Sequence, residues 1–405
     1  MYPPASAPPM SQPKQFAVSF VKPRQSYYFG TESIPAQFTK SKKQTAMFME
    51  RLNALTKTVN ENLLFSFYPR DRVIAVATRL MNKEISFKTI QRKLGLRTKA
   101  DAYKLAALAL YDIHVVSDNS FSIVDPITRA EKRKERLTFA LENVFYLSSQ
   151  FDEDGADYHW LNCEDSHRQI CKKVKTSKQF GEMMKVQYNG GTPTAEILRN
   201  HVIDPIFKNE AMLNKPVLVY IITDGEPNSR QDVDKVLMEA FALKDYYKYI
   251  QNAIEFTFVQ VGTNDRATAW LQTVDDLPIL KDNIDCVSDY EIEKQQTMGN
   301  EFQLTLGDWF LKLATGAIDD SFDKIDNKQA LSTQDQIQLT EKTQQVAEYL
   351  LFFRYLIQRS SEQFVVQLRD IHAFTNAFSH YIATNNYFYL DYNQWQDAQN
   401  RIFAQ

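Results

Sequence analysis

Asp224 stands at the end of an unbroken apolar run, Val217–Ile222, within Thr223-Asp224-Gly225-Glu226-Pro227. A carboxylate at the carboxyl end of a buried parallel strand lies where open α/β sheets bind ligands. A second turn, Gly190-Gly191-Thr192-Pro193-Thr194, has the small residues of a phosphate loop. It lacks the lysine such a loop needs, and Pro193 removes a backbone donor, which excludes that role. His159, Cys163, His167 and Cys171 recur every four residues and are the donors that zinc takes. On one helix they would span about 18 Å, so at most one adjacent pair could share an ion. The cysteines read instead as buried packing residues. Asp319, Asp320, Asp323 and Asp326 lack the spacing of a calcium loop and read as a solvated turn. None of the six histidines sits in a catalytic motif, and Ser148-Ser149 lacks the glycines of a nucleophile elbow. These residues therefore argue for binding rather than catalysis.

The elements that must position Asp224 read as an alternation of strand and helix. Val217–Ile222 is apolar on both faces, as a central parallel strand must be. Asn143–Leu147 reads as the first strand, Leu161–Val174 as a helix, and Thr194–Phe207 as a helix entered from the glycine turn. Asp232–Ile250 is a helix, Ile254–Val261 the next strand, Ala267–Val274 a helix, Asp285–Val287 a short strand and Leu304–Ile318 a closing helix. The expected fold class is α/β, with a doubly wound, mostly parallel, Rossmann-like sheet over residues 138–330.

Three further segments flank it. Residues 1–37 form an extended tail, with six prolines before residue 26. Residues 38–137 read as a small basic helical domain: helices over 71–82, from Ser86 to Gly95, and from Thr98 onward. Val115-Val116 and Phe121–Val124 read as strands of a hairpin about Ser117-Asp118-Asn119, which makes the order of a winged helix. Residues 331–405 form a helical segment rich in Asn, Gln and aromatics, whose apolar face must pack on the sheet domain or a partner.

Charge is unevenly spread. Residues 1–137 hold 23 Lys+Arg against 11 Asp+Glu, and the remainder 24 against 39. A basic first third fits a polyanion, and Arg92, Lys93, Arg97, Lys99 and Lys104 are the nucleic-acid candidates if the winged helix holds. The alternatives are a helical domain packed on protein, or a basic half facing the acidic one. Three cysteines do not make a disulfide framework, so a reducing, intracellular setting is expected, cytoplasmic or nuclear, with a mitochondrial one left open. No signal-peptide core follows Met1. No apolar run approaches the ~20 residues of a membrane helix.

Gly190–Thr194, Thr223–Pro227, Val261-Gly262, Asp285–Glu291 and Trp309–Asp319 occur in that order. Together they resemble the von Willebrand factor A (vWA) domain, especially its intracellular versions in unicellular eukaryotes. The resemblance covers roughly residues 139–325 and implies a protein-binding module with no catalysis. In that family a divalent ion at the top of the sheet is held by an Asp-x-Ser-x-Ser after the first strand, a Thr and an Asp. Thr192 and Asp224 match the last two. With Asn143–Leu147 as first strand, Ser148, Gln150 and Asp152 take the places of the Asp and two serines. This implies a degenerate site, with Thr192 and Asp224 bonding loop backbone and no cofactor. The alternative is a retained Mg²⁺ with Asp152 or Asp154 as substitute ligands. Three functions are expected in turn. The first is a scaffold subunit docking other protein subunits. The second is a metal-dependent module capturing a partner carboxylate. The third is a nucleic-acid-binding protein acting through its basic third.

Overall fold

The computed structural model describes residues 26–126, 132–162, 170–208, 213–246, 251–277, 283–298, 303–319, 339–343, 345–346 and 350. The proline-rich tail before residue 26 and most of the expected 331–405 segment lie outside the described residues.

The chain enters through four helices. α1 (Lys42–Glu61) is capped by Ser41, whose Oγ accepts from Gln44 N. α2 (Arg70–Asn82) carries buried Val73, Val76, Ala77 and Leu80 at helical spacing. α3 (Phe87–Leu94) starts at Ser86 and ends at Gly95, both as its sequence requires. α4 (Lys99–Lys104) opens with a capping box of Thr98 and Asp101. The wholly buried turn Leu105–Leu110 then feeds straight into a strand.

That strand is β1 (Asp112–Ser117), followed by β2 (Ala156–Trp160), β3 (Ile170–Val174), β4 (Val217–Thr223), β5 (Ile254–Gln260) and β6 (Ile284–Val287). Their order is β3-β2-β1-β4-β5-β6. Every pairing is parallel except β2 with β3 at the edge. The sheet is thus α/β and mostly parallel, as expected. The chain runs from β1 to β2 on one side and later returns to β4 on the other. The β1–β4 junction is therefore the point where strand order reverses and a crevice opens at the carboxyl ends.

Helices cover both faces. Ile113, Val115, Leu218, Tyr220 and Ile222 pack with α1–α4, with α5 (Arg133–Phe151) and with α12 (Leu306–Thr315). Val116, Val219, Ile221, Phe256 and Phe258 pack on the other side. There they meet the helical stretch from α7 (Thr194–Ile197) through a π turn to α8 (Asp204–Lys208), and α9 (Arg230–Tyr246) and α10 (Asp265–Asp275). Short helices α6 (Ser177–Met183) and α11 (Tyr290–Gln296) fill the connections. Val346 and Leu350 are buried in the second core, the first sign of the apolar face expected in the C-terminal segment.

Three expectations are corrected. Asn143–Leu147 lies inside helix α5, where Leu137, Ala140, Leu141, Val144, Leu147 and Phe151 repeat every three to four residues and are buried. The short apolar run imitates a strand only when its neighbours are ignored. Residues 161–174 are not one helix, because Ala156–Trp160 and Ile170–Val174 pair as antiparallel strands. The hairpin of a winged helix does not form: β1 pairs with β2 and β4, and Phe121–Ile123 is a 3-10 turn. Residues 112–117 therefore belong to the sheet, and α1–α4 share its core. No helix among the described residues is long and apolar enough to cross a membrane.

Candidate functional site

β1 and β4 run side by side, with Ser117 opposite Ile222. The chain therefore leaves both strands at the same level. What leaves β1 is Asp118-Asn119-Ser120-Phe121-Ser122. What leaves β4 is Thr223-Asp224-Gly225. The two segments interlock. Thr223 donates its hydroxyl to Asp118 Oδ2 at 2.7 Å. Ser122 donates to Asp224 Oδ1 at 2.9 Å, and the Ser120 and Ser122 hydroxyls lie 2.9 Å apart. Asp118 Oδ1 accepts from Ser120 N at 2.7 Å, a turn made by Asp bonding its own backbone two residues on. Both aspartates are fully buried.

The third loop is brought in by two asparagines. Asn119 donates its amide to the carbonyls of Asn162 and Gln187, and its Oδ1 accepts from Asn162 N at 2.8 Å. Asn228 Oδ1 accepts from Thr192 N at 2.8 Å, and Asn228 N donates to Thr192 O at 2.9 Å. Phe121 N donates to Gly190 O. The Gly190–Thr194 turn is thus tied to both strand ends, as the order of the motifs requires.

Two carboxylates this close and this buried repel. Burial, and then the neighbouring Asp224, push the Asp118 carboxyl up to about 6. Among the described residues one positive group answers them: Arg133 Nη1 lies 2.7 Å from Asp224 Oδ2, with its side chain nearly buried. Asp118, Ser120, Ser122 and Asp224 bring two carboxylates and two hydroxyls together, with the Thr192 loop beside them, and oxygen donors of this kind are the chemistry of a hard divalent cation. These residues fit such an ion.

The other expected ligands lie elsewhere. Ser148 and Gln150 are in the last turns of α5, where Ser148 Oγ donates to Phe145 O and Gln150 Nε2 to Ser149 Oγ. Asp152 accepts from Ile113 N, at the start of β1. Five residue steps along the strand lead from that point to Asp118, about 16 Å. Ser148, Gln150, Asp152 and Asp154 therefore stand at the opposite end of the sheet from Thr192 and Asp224. Asp112, Asp152 and Asp154 do cluster there, with oxygens within 4.8 Å. Lys215 reaches Asp152 and Asp154, and Lys173 reaches Asp112 and Asp154, so the cluster carries its own cations. Burial still outweighs Lys215 and raises Asp152 to about 7.

The histidine and cysteine series does not share a helix. His159 is in β2 and Cys171 in β3, while Cys163 and His167 lie outside the described residues. His159 Nε2 instead meets His114 Nδ1 at 3.3 Å and stacks on His201, all three held toward the neutral form mainly by burial. Of the five basic candidates, four are engaged within the protein. Arg97 is paired with Asp308, Lys99 with Glu50 and Lys104 with Asp319, while Lys93 Nζ sits over the Tyr146 ring. Arg92 is exposed at the end of α3.

The residues missed in the sequence are Asp118, Asn119, Ser120, Ser122 and Arg133. The signal for three of them was present: Asp118-x-Ser120-x-Ser122 is the pattern that the resemblance asked for, directly after Ile113–Ser117. No protein-family model matches the chain, and no curated protein matches it.

Proposed function

We propose that this protein is a non-enzymatic binding subunit of a larger intracellular assembly, built on a vWA-type domain that docks a partner protein at the carboxyl ends of β1 and β4. The observation that carries the reading is the convergence of Asp118, Ser120 and Ser122 with Asp224 at the strand-order reversal, beside the Thr192 loop. Those five residues would hold a divalent cation such as Mg²⁺. The cation's role would be to offer a coordination position to an acidic side chain of the partner, while the protein residues fix its place and keep it neutralised. The reversal of strand order between β1 and β4 also supports binding at this end of the sheet.

The site's hydroxyls are bonded to carboxylates or to each other, which suits a set of oxygen donors converging on a cation. A metal-free scaffold is the second reading, favoured by the Arg133–Asp224 pair. Four of the five candidate cations of the nucleic-acid reading have a partner within the chain, which weighs against that reading. Mg²⁺ titrated calorimetrically into the full chain is expected to bind at one site, and the S120A,S122A double variant is expected to lose it. A wild-type chain with no heat of binding, whose native partners stay bound in EDTA, would favour the scaffold instead.

A further inference from the structure

We propose that Arg133 is a built-in counter-ion that competes with the divalent cation for Asp224, so that the site exchanges between an arginine-filled and a cation-filled state. The proposal rests on the reading that this site takes a divalent ion.

Arg133 is the first residue of α5, and a cation there opposes the helix dipole. Its position is explained by what it touches. Nη1 lies 2.7 Å from Asp224 Oδ2, on the opposite oxygen from the one that accepts from Ser122. Its stem lies in a seat made by Gly262, at φ 91 after β5, where a Cβ would come within 3.0 Å of Arg133 Cγ and 3.1 Å of Nε. Gly262 N is itself held by Asp289 Oδ2 at 2.9 Å, and Asp289 Oδ1 receives Arg136 from the next turn of α5. The loops after β4, β5 and β6 are therefore shaped around these two arginines.

The charge count sets the competition. Asp118 and Asp224 bring two buried negative charges, and Arg133 answers one of them. A divalent ion would answer both by itself. Ion and guanidinium together would leave an excess of buried positive charge, which a low-dielectric site disfavours. Binding of the ion therefore requires the guanidinium to withdraw, and the apparent affinity falls by the fraction of time that it does.

The test uses the full chain, with Mg²⁺ alone as probe. Calorimetry on the R133M variant, whose stem still packs over Gly262, is expected to show Mg²⁺ binding ~10-fold or more tighter than wild type. In the wild-type chain, the Arg133 Nε–H resonance is expected to shift with the same Mg²⁺ midpoint that calorimetry gives. Equal or weaker binding by R133M, or an Arg133 resonance that stays still while Mg²⁺ binds, would overturn the competition and leave the cation site standing. Absence of Mg²⁺ binding in both chains would overturn the cation site itself. The wild-type resonance decides the matter even where R133M fails to fold.

Discussion

At the scale of single residues, Asp118 is a group of the site whose environment conflicts with its charge. It is fully buried beside Asp224, and its carboxyl sits at about 6 against an ordinary 3.8. A raised folded value means that stability is fully present below about pH 3.8 and is lost as pH rises through 6. The D118N variant keeps an oxygen for Ser120 N and an amide for Thr223 Oγ, but cannot ionise. In EDTA it is expected to match wild type near pH 3.5 and to exceed it by about 2–3 kcal/mol above pH 7, the free energy of ionising a carboxyl raised from 3.8 to about 6. Urea unfolding at the two pH values checks this. A constant difference across the range would mean that Asp118 does not carry the burial penalty. The same group sets a proton against the cation, so Mg²⁺ affinity is expected to fall as pH drops below about 6. Calorimetry between pH 5 and 8 measures that fall.

At the scale of elements, the site depends on loops that β1 alone could not hold. Asn119 joins the β1 loop to the turns carrying Asn162 and Gln187 through three side-chain hydrogen bonds, and it is fully buried. Its replacement, N119A, removes all three and strands two carbonyls and an amide. The expected cost is about 2–4 kcal/mol, read as a lower urea midpoint at unchanged slope. Mg²⁺ binding is expected to weaken as well, because the Gly190–Thr194 turn is held against this loop through Phe121 N. An N119A chain with wild-type stability would show that the loops stand without it. Legibility in the sequence was uneven at this scale. β4 and β5 were legible because buried parallel strands are apolar on both faces, leaving no helical reading for Val217–Thr223 or Ile254–Gln260. β1 was legible only at Val115-Val116, and as part of a hairpin, because Asp112, His114 and Ser117 break its apolar run. His114 finds a ring-nitrogen partner in His159 on the neighbouring strand, 45 residues away.

At the scale of the whole molecule, the basic first third and the acidic remainder meet each other. Arg97 pairs with Asp308, Lys104 with Asp319, Arg133 with Asp224 and Arg136 with Asp289. The charge asymmetry is used in part as an internal seam, which is the alternative that composition had left open. The seam is close. Gly307 in α12 meets the backbone after α3, where a Cβ would fall 2.2 Å from Gly95 O. Backbone cannot rotate aside as a side chain can, so G307A must push the helical layer from α12 at a cost of about 1–3 kcal/mol. Since α1–α4 and the sheet share one core, the loss is expected to lower the single Tm of the chain rather than split the transition. Scanning calorimetry that resolved two transitions would show that the N-terminal helices fold apart from the sheet.

The sequence by itself determined the class of the fold, the strand that carries Asp224, the glycine turn that carries Thr192, and the ends of α2 and α3. Each of these is written in local periodicity, capping residues or turn chemistry. Only the tertiary structure decided which strand stands beside β4, since parallel neighbours are joined by long connections that local pattern does not count. That choice put Asp118, Ser120 and Ser122 beside Asp224 and left Ser148, Gln150 and Asp152 at the far end of the sheet. It also brought Arg133 onto Asp224 across 91 residues, a pairing of opposite charges that becomes decisive only where both are buried.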